Sequence, residues 1–195
     1  MISGVVLAAG TSSRFGSTKQ VFVLGSKPLV AHAIDALRDA GVGELIVVVG
    51  HDRAAVEAVL PPDVRVVVNP AYRDGQATSL AAALHDVAAD SEAAIVLQAD
   101  QPGITPDDLR ALIAGFHDTR GQITRLRYID GPGPALLSRE IYAEAGHLQG
   151  DAGARLLIAS HPDWVHEVSV EHRAPPDIDT PDDLGHREAD TPPGG

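Results

Sequence analysis

With 195 residues, 44% of them hydrophobic, the chain can bury one sizeable core, and its length is that of a single domain. Its 15 Lys and Arg against 27 Asp and Glu leave a formal charge of −12, which repels nucleic-acid backbones and anionic membrane surfaces and makes both poor partners. No cysteine occurs, which excludes disulfides, thiolate metal sites and a cysteine nucleophile.

The apolar run Gly4-Val5-Val6-Leu7-Ala8-Ala9 stops at Gly10, as a buried parallel strand entering a glycine loop does. It has neither a basic leader nor a signal-length core, and no later segment is long enough to span a bilayer, so a cytoplasmic protein is expected. Residues 28–40 carry Leu29, Val30, Ala33, Ile34 and Leu37 at helical spacing, with Pro28 suited to the first turn and Gly41 to the stop. The pattern repeats as strand 44–49, helix 53–60, strand 64–68, helix 78–89 and strand 93–97. This alternation predicts an α/β fold, a single-domain, doubly wound and mostly parallel sheet, with ligands beyond the carboxyl ends of its strands. Further on, a helix near 106–116, a strand at 122–129, helices at 138–145 and 152–160 and a strand at 164–170 are expected. The domain is taken to run over 1–188, with 189–195 as a flexible tail.

Three polar segments fall at those strand ends. In the first, strand residues Leu7, Ala8 and Ala9 lead through Gly10-Thr11-Ser12-Ser13 to Arg14 and Lys19. Small residues let backbone N–H groups approach phosphate oxygens, Arg14 offers a forked donor and Lys19 a mobile point charge, although an ordinary loop with solvated cations would read the same. The spacing is neither that of a Walker loop nor the Gly-x-Gly-x-x-Gly dinucleotide fingerprint. In the second, Asp100 of Asp100-Gln101-Pro102 ends the strand at 93–97. A carboxylate there suits Mg²⁺, which one or two carboxylates and substrate phosphates hold, and Asp179 is the candidate partner, with Asp177 in reserve. Capping of a helix starting near Pro181 is the competing role for these acids and the one left to Asp182 and Asp183. In the third, Asn69 to Leu80 is a turn-rich loop in which Gly75 permits close backbone approach and Ser79 could meet a base or ribose. A capped helix start at Thr78 or Ser79 explains it equally well. The nine histidines lack zinc-site pairing, and no serine stands in a nucleophile elbow.

Taken together, Leu7 to Lys19, Asn69 to Leu80, Asp100-Gln101-Pro102, Gly150 to Arg155 and Asp177 to Leu184 resemble the ordered motifs of the MobA-like nucleotidyltransferases. The likeness is greatest to their molybdenum cofactor cytidylyltransferase branch. The resemblance implies the nucleotide-diphospho-sugar transferase type of Rossmann-like fold and Mg²⁺-dependent transfer of a nucleoside monophosphate, CMP favoured, from an NTP to a small phosphorylated acceptor such as molybdopterin, with a molybdoenzyme as the implied client. By the same resemblance Leu7, Ala8, Ala9, Gly10, Gly75 and Ser79 frame base and ribose. Arg14 and Lys19 bind the triphosphate and act with Asp100 in catalysis, Asp100 and Asp179 hold the metal, and Gln101, Asp151 and Arg155 face the acceptor. Where many relatives carry Gly-His-Pro, this chain has Gly131-Pro132-Gly133-Pro134. GTP in place of CTP, another small phosphate acceptor, an NADPH-dependent reductase and a non-catalytic cofactor-binding module are the alternatives.

Overall fold

The computed structural model describes residues 1–151, 153–180 and 182–183; the expected tail at 189–195 and Leu184 of the last motif lie outside them. The helix expected from residue 152 is observed as Ala154–Ser160.

In chain order the elements are β1 (Ile2–Leu7), β2 (Val23–Leu24), β3 (Lys27–Pro28), α1 (Leu29–Ala40), β4 (Glu44–Val49), α2 (Arg53–Glu57), β5 (Arg65–Val68), α3 (Gln76–Asp86), β6 (Ala93–Gln98) and α4 (Pro106–Thr119). They are followed by β7 (Ile123–Tyr128), β8 (Gly131–Ser138), α5 (Tyr142–Ala145), α6 (Ala154–Ser160) and β9 (Val165–Ser169). Seven strands form one sheet in the order β5-β4-β1-β6-β8-β7-β9. All pairings are parallel except those of β8, which runs antiparallel to both β6 and β7. The order reverses between β1 and β6, and a doubly wound sheet opens a crevice beyond the carboxyl ends of the strands on either side of such a switch.

Two apolar layers hold the sheet. Val6, Val47, Ile95 and Leu97 pack with Ile34 and Leu37 of α1 and Leu109 and Leu112 of α4, while Val5, Ile46 and Val48 pack on the other face with Leu80 and Leu84 of α3 and Leu157 of α6. Each fully buried Leu, Ile or Val contributes roughly 1.5–3 kcal/mol, so the two layers dominate the stability of the sheet and fix where its strand ends lie. The amphipathic pattern at 28–40 yields α1, which stops at Gly41 with φ +87°. Thr105 and Asp108 cap α4 reciprocally, the threonine oxygen accepting from the Asp108 N–H and the aspartate accepting from the Thr105 N–H.

The observed elements differ from the sequence expectations in four places. β8 was not anticipated, because Gly131-Pro132-Gly133-Pro134 reads as a turn; its prolines stand where β8 departs from regular register with β7. The expected helix at 138–145 is the end of β8, a 3₁₀ turn and the single turn of α5. Thr78 and Ser79 do not cap α3, whose N-cap is Gly75. The β2–β3 hairpin was also missed, since its two strands are two residues each.

A third, smaller cluster joins Phe15, Leu24, Leu29 and Ile178. It ties the loop after β1 to the segment that follows β9. That segment is further held by His172, whose Nε2 lies 2.9 Å from Oδ1 of the buried Asp108, and by the Ala174 N–H, which donates to Asp130 at 2.8 Å. Hydrogen bonding to the Arg173 carbonyl, and then to Asp108, raises the His172 pKa above its ordinary 6.5. A raised folded-state value stabilises fully below the unfolded pKa, and the contribution is lost as pH rises through the folded one. The melting temperature of the protein is therefore expected to lose an increment between about pH 6 and pH 8. His172→Gln should flatten that part of the profile, and an unchanged profile would remove His172 as its cause.

Candidate nucleotide-binding and transfer site

Two adjoining cavities open beyond the carboxyl ends of β1 and β6. The first, of about 510 Å³, is lined by Leu7, Ala9, Gly10 and the loop 11–14, by Lys19 and Gln20, by Tyr72, Arg73, Gln76 and Ser79, and by Gln98, Asp100, Asp151 and Asp179. The second, of about 840 Å³, shares Leu7, Gln76 and Gln98 with it and continues over Gln101, Asp177, β7, β8 and α6.

The loop after β1 is built round Gln20, which is buried. Its Nε2 donates to the Gly10 carbonyl at 3.0 Å, and its Oε1 accepts from the Ser12 hydroxyl at 3.2 Å. Ser12 takes a left-handed conformation, φ +51°, and its carbonyl receives the N–H groups of Phe15 and Gly16. The N–H groups of residues 10–14 have no hydrogen-bond partner among the described residues. Successive unpaired N–H groups in such a loop form a concavity suited to anionic oxygens.

Opposite this loop, the segment after β9 adds its backbone to the end of β6: the Ile178 N–H donates to the Asp100 carbonyl at 2.9 Å. Ile178 is fully buried, so Asp177 and Asp179 are set on either side of an anchored residue. Lys19 Nζ is enclosed between the two strands of chain. It lies 2.7 Å from Asp100 Oδ2, 3.2 Å from Asp179 Oδ1 and 3.0 Å from the Ile178 carbonyl, with its side chain 14% exposed. Arg14, largely exposed, reaches the other Asp179 oxygen at 2.9 Å. The second Asp100 oxygen, Oδ1, is buried without a partner among the described residues. A buried carboxylate oxygen left unpaired costs free energy, and a cation is its natural complement.

Gln101 donates to Asp177 Oδ1 at 3.0 Å in the second cavity. Burial first, then the nearby Asp100 and Asp179 charges, pushes the Asp177 carboxyl above its usual range, partly opposed by the Gln101 hydrogen bond and Lys19. Across the site, the buried Asn69 donates to Thr78 and Ser79 and accepts from the Ala71 N–H, which fixes the start of α3 against the first cavity.

The structure thus brings Leu7, Ala9, Gly10, Arg14, Lys19, Ser79, Asp100 and Asp179 round one cavity. Ala8 stands apart: its side chain is in the core and its N–H donates to the Val48 carbonyl. Gly75 also stands off the wall, packed on the backbone of Gly150. Of the residues expected toward the acceptor, Gln101 and Arg155 line the second cavity, whereas Asp151 lines the first. Sequence reasoning passed over Gln20, Gln98, Gln76, Tyr72 and Arg73; a polar Gln98 closing an apolar strand was the one available signal. Among the described residues no group of three or more His, Cys, Asp or Glu could hold a metal unaided. None of the helices there is long and apolar enough to cross a membrane.

A doubly wound sheet here sets a loop of unpaired N–H groups opposite two carboxylates at its switch point, an arrangement suited to nucleotide phosphates. The profile of the MobA-like NTP transferase domain matches residues 4–165, and the chain belongs to that family. It is similar to the bifunctional protein GlmU of Sorangium cellulosum, 31% identical over 179 residues that cover 85% of this chain but 35% of that protein. The chain thus spans about a third of that relative's length. Among solved structures it resembles Rv0371c of Mycobacterium tuberculosis H37Rv, at 33% identity and a TM-score of 0.85, covering 97% of this chain and 98% of that one. A structure of the same mycobacterial protein in complex with manganese matches at 31% identity and a TM-score of 0.80, over 97% of this chain and 98% of that one.

Proposed function

We propose that the chain transfers a nucleoside monophosphate, CMP in preference to GMP, from an Mg²⁺-bound NTP to a small phosphorylated acceptor of the molybdopterin type, releasing pyrophosphate. The observation that carries this reading is the buried Asp100 Oδ1, without a partner among the described residues, beside Lys19 in the first cavity, whose wall at Leu7, Gln76 and Gln98 is shared with the second. Asp100 and Asp179 fit a divalent ion: two carboxylates are what Mg²⁺ takes from a protein when substrate phosphates complete its shell. Manganese in the mycobacterial relative supports divalent-metal use in this family. When bound, the ion supplies charge withdrawal from the phosphates.

The protein's own part is alignment. The unpaired N–H groups of residues 10–14, with Arg14, receive the β- and γ-phosphates in the first cavity. Lys19 neutralises charge that builds on the transferring group. The acceptor's phosphate oxygen attacks the α-phosphorus in line, forming one P–O bond while the bond to the bridging oxygen breaks, and pyrophosphate leaves with that electron pair. The nucleophile is already an anion, so no general base is required, and positioning and charge neutralisation supply the acceleration.

The test is pyrophosphate release with CTP or GTP, Mg²⁺ and a molybdopterin-type acceptor. Release that needs the acceptor and is faster with CTP is the expected result. Equal or faster release with GTP would remove the CMP preference. Binding of either nucleotide without turnover would remove the acceptor assignment, and no nucleotide binding would remove the reading as a whole.

A further inference from the structure

The second cavity holds an arginine that the transfer chemistry leaves unused. Arg125 lies in β7, directly opposite Glu167 of β9 and Ala135 of β8, with Ala135 in turn opposite Val96 of β6. By strand alternation Arg125 shares the sheet face of Ile123, which packs beneath α3 and α6, so this cation rises from the floor of the cavity between apolar walls of Val96, Pro134, Ile158 and Val165. Its side chain is 21% exposed, and Glu167 is its one hydrogen-bond and ion-pair partner among the described residues. Nε is buried without a partner among the described residues.

A guanidinium carries five N–H donors and accepts nothing. Here one donor is engaged by a neighbouring carboxylate, Nε is enclosed, and the guanidinium lines a cavity large enough for a small molecule. Buried polar groups are ordinarily satisfied, and forked pairing with a carboxylate or phosphate is what a guanidinium does best. Arg155 lines the same cavity with no ion pair among the described residues, while the other carboxylate there, Asp177, is engaged by Gln101. The cavity therefore presents two cations against Glu167 and an Asp177 already engaged by Gln101.

We propose that Arg125, positioned by Glu167, binds a second anionic group, carboxylate or phosphate, at the end of the acceptor remote from the attacking oxygen. The inference rests on the reading of the second cavity as the acceptor site. The sheet geometry sets the length of that acceptor. Arg125 is two strands from β6 and level with Val96, two residues short of Gln98, so its backbone is roughly 12 Å from that of Gln98 at the edge of the first cavity. The acceptor class this predicts is an elongated phosphate with an apolar middle and a second anion at its far end, which a molybdopterin, with an uncharged pterin ring at that end, does not supply; the inference keeps the second cavity as the acceptor site but not molybdopterin as its occupant.

The experiment is equilibrium dialysis of labelled inorganic phosphate against the whole chain, with the first cavity filled by Mg²⁺ and a CTP analogue carrying a methylene bridge between the α- and β-phosphorus. One phosphate should bind in addition to the analogue. Arg125→Gln should weaken it at least tenfold while analogue affinity, which reports that the variant is folded, stays unchanged. Arg125→Lys should recover part of the loss, and Glu167→Gln should tighten phosphate severalfold by freeing the guanidinium. Displacement by acetate assigns the remote group as a carboxylate, and resistance to acetate assigns it as a phosphate. Phosphate binding that Arg125→Gln leaves intact, or its absence from the unsubstituted protein, overturns the proposal while analogue binding leaves nucleotidyl transfer standing. If the analogue itself does not bind, nucleotidyl transfer fails and this inference fails with it.

Discussion

Lys19→Gln is expected to reduce turnover by about 10²–10³-fold, the loss that accompanies removal of one preorganised donor to developing charge. The same substitution is expected to make the protein bind Mn²⁺ alone about tenfold more tightly, a gain of ~1.4 kcal/mol. The two effects have opposite signs because Lys19 occupies the position a dication would take. Its ammonium sits on Asp100 Oδ2, Asp179 Oδ1 and the Ile178 carbonyl, and its side chain is 14% exposed, so the contact is little screened by solvent. A metal arriving without nucleotide meets that positive charge. An Mg²⁺-bound triphosphate would bring its own negative charge for the flexible lysine to pair with, and Asp100 and Asp179 would then be the residues that hold the ion. Manganese titration followed by electron paramagnetic resonance reads the second effect independently of any acceptor. A Lys19→Gln variant that bound Mn²⁺ no better than the unsubstituted protein would show that the lysine does not hold the carboxylates against metal.

Gly75→Ala should cost about 3 kcal/mol of stability, a figure that joins backbone strain of roughly 1–3 kcal/mol to a steric clash. Gly75 has φ +110° and ψ 169°, a region that glycine alone visits at ease. A Cβ there would stand 2.3 Å from the Gly150 carbonyl carbon and 2.4 Å from its oxygen, both backbone atoms that cannot swing aside. The Gly150 carbonyl also accepts from the Ala77 N–H at 3.0 Å, so pushing Gly150 away breaks a bond at the first turn of α3. Gln76 and Ser79, both on the first cavity, ride on that turn. Nucleotide affinity should therefore fall together with stability, as chemical denaturation and nucleotide titration of the same variant would report. Loss of neither would mean that the Gly75–Gly150 contact is not what sets the start of α3.

The half of the sheet made of β1, β4, β5 and β6 was legible because its strands are continuous apolar runs and its crossover helices have clear apolar stripes. Val47 and Val48, or Ala94 and Ile95, are neighbours buried on opposite faces of the sheet, and burial of that kind leaves a sequence signal. Past α4 the signal fails for a physical reason. β8 begins with two Gly-Pro pairs that carry turn chemistry and so does not look like a core strand, whereas β7, which alternates Arg125 and Arg127 with buried residues, was still readable as a strand at 122–129. The site divides in the same way. Arg14, Lys19 and Asp100 announce themselves at strand ends, whereas local pattern does little to separate Asp179 from Asp177. The Ile178 carbonyl on Lys19, the Gln20 brace and the Arg125–Glu167 pair arise from contacts between residues far apart in sequence, which no local pattern records. Gly75 illustrates the middle case: the need for a glycine was readable, whereas its reason, the backbone of Gly150, was not.

The measurement that bears most directly on the central claim is the fate of labelled phosphorus in a single turnover with CTP, Mg²⁺ and acceptor. Direct transfer predicts that label at the α-position moves to the acceptor, that label at the γ-position leaves as pyrophosphate, and that none remains on the protein. Label on the protein after quenching, or α-label recovered as free CMP whether or not acceptor is present, would contradict direct transfer between the two cavities.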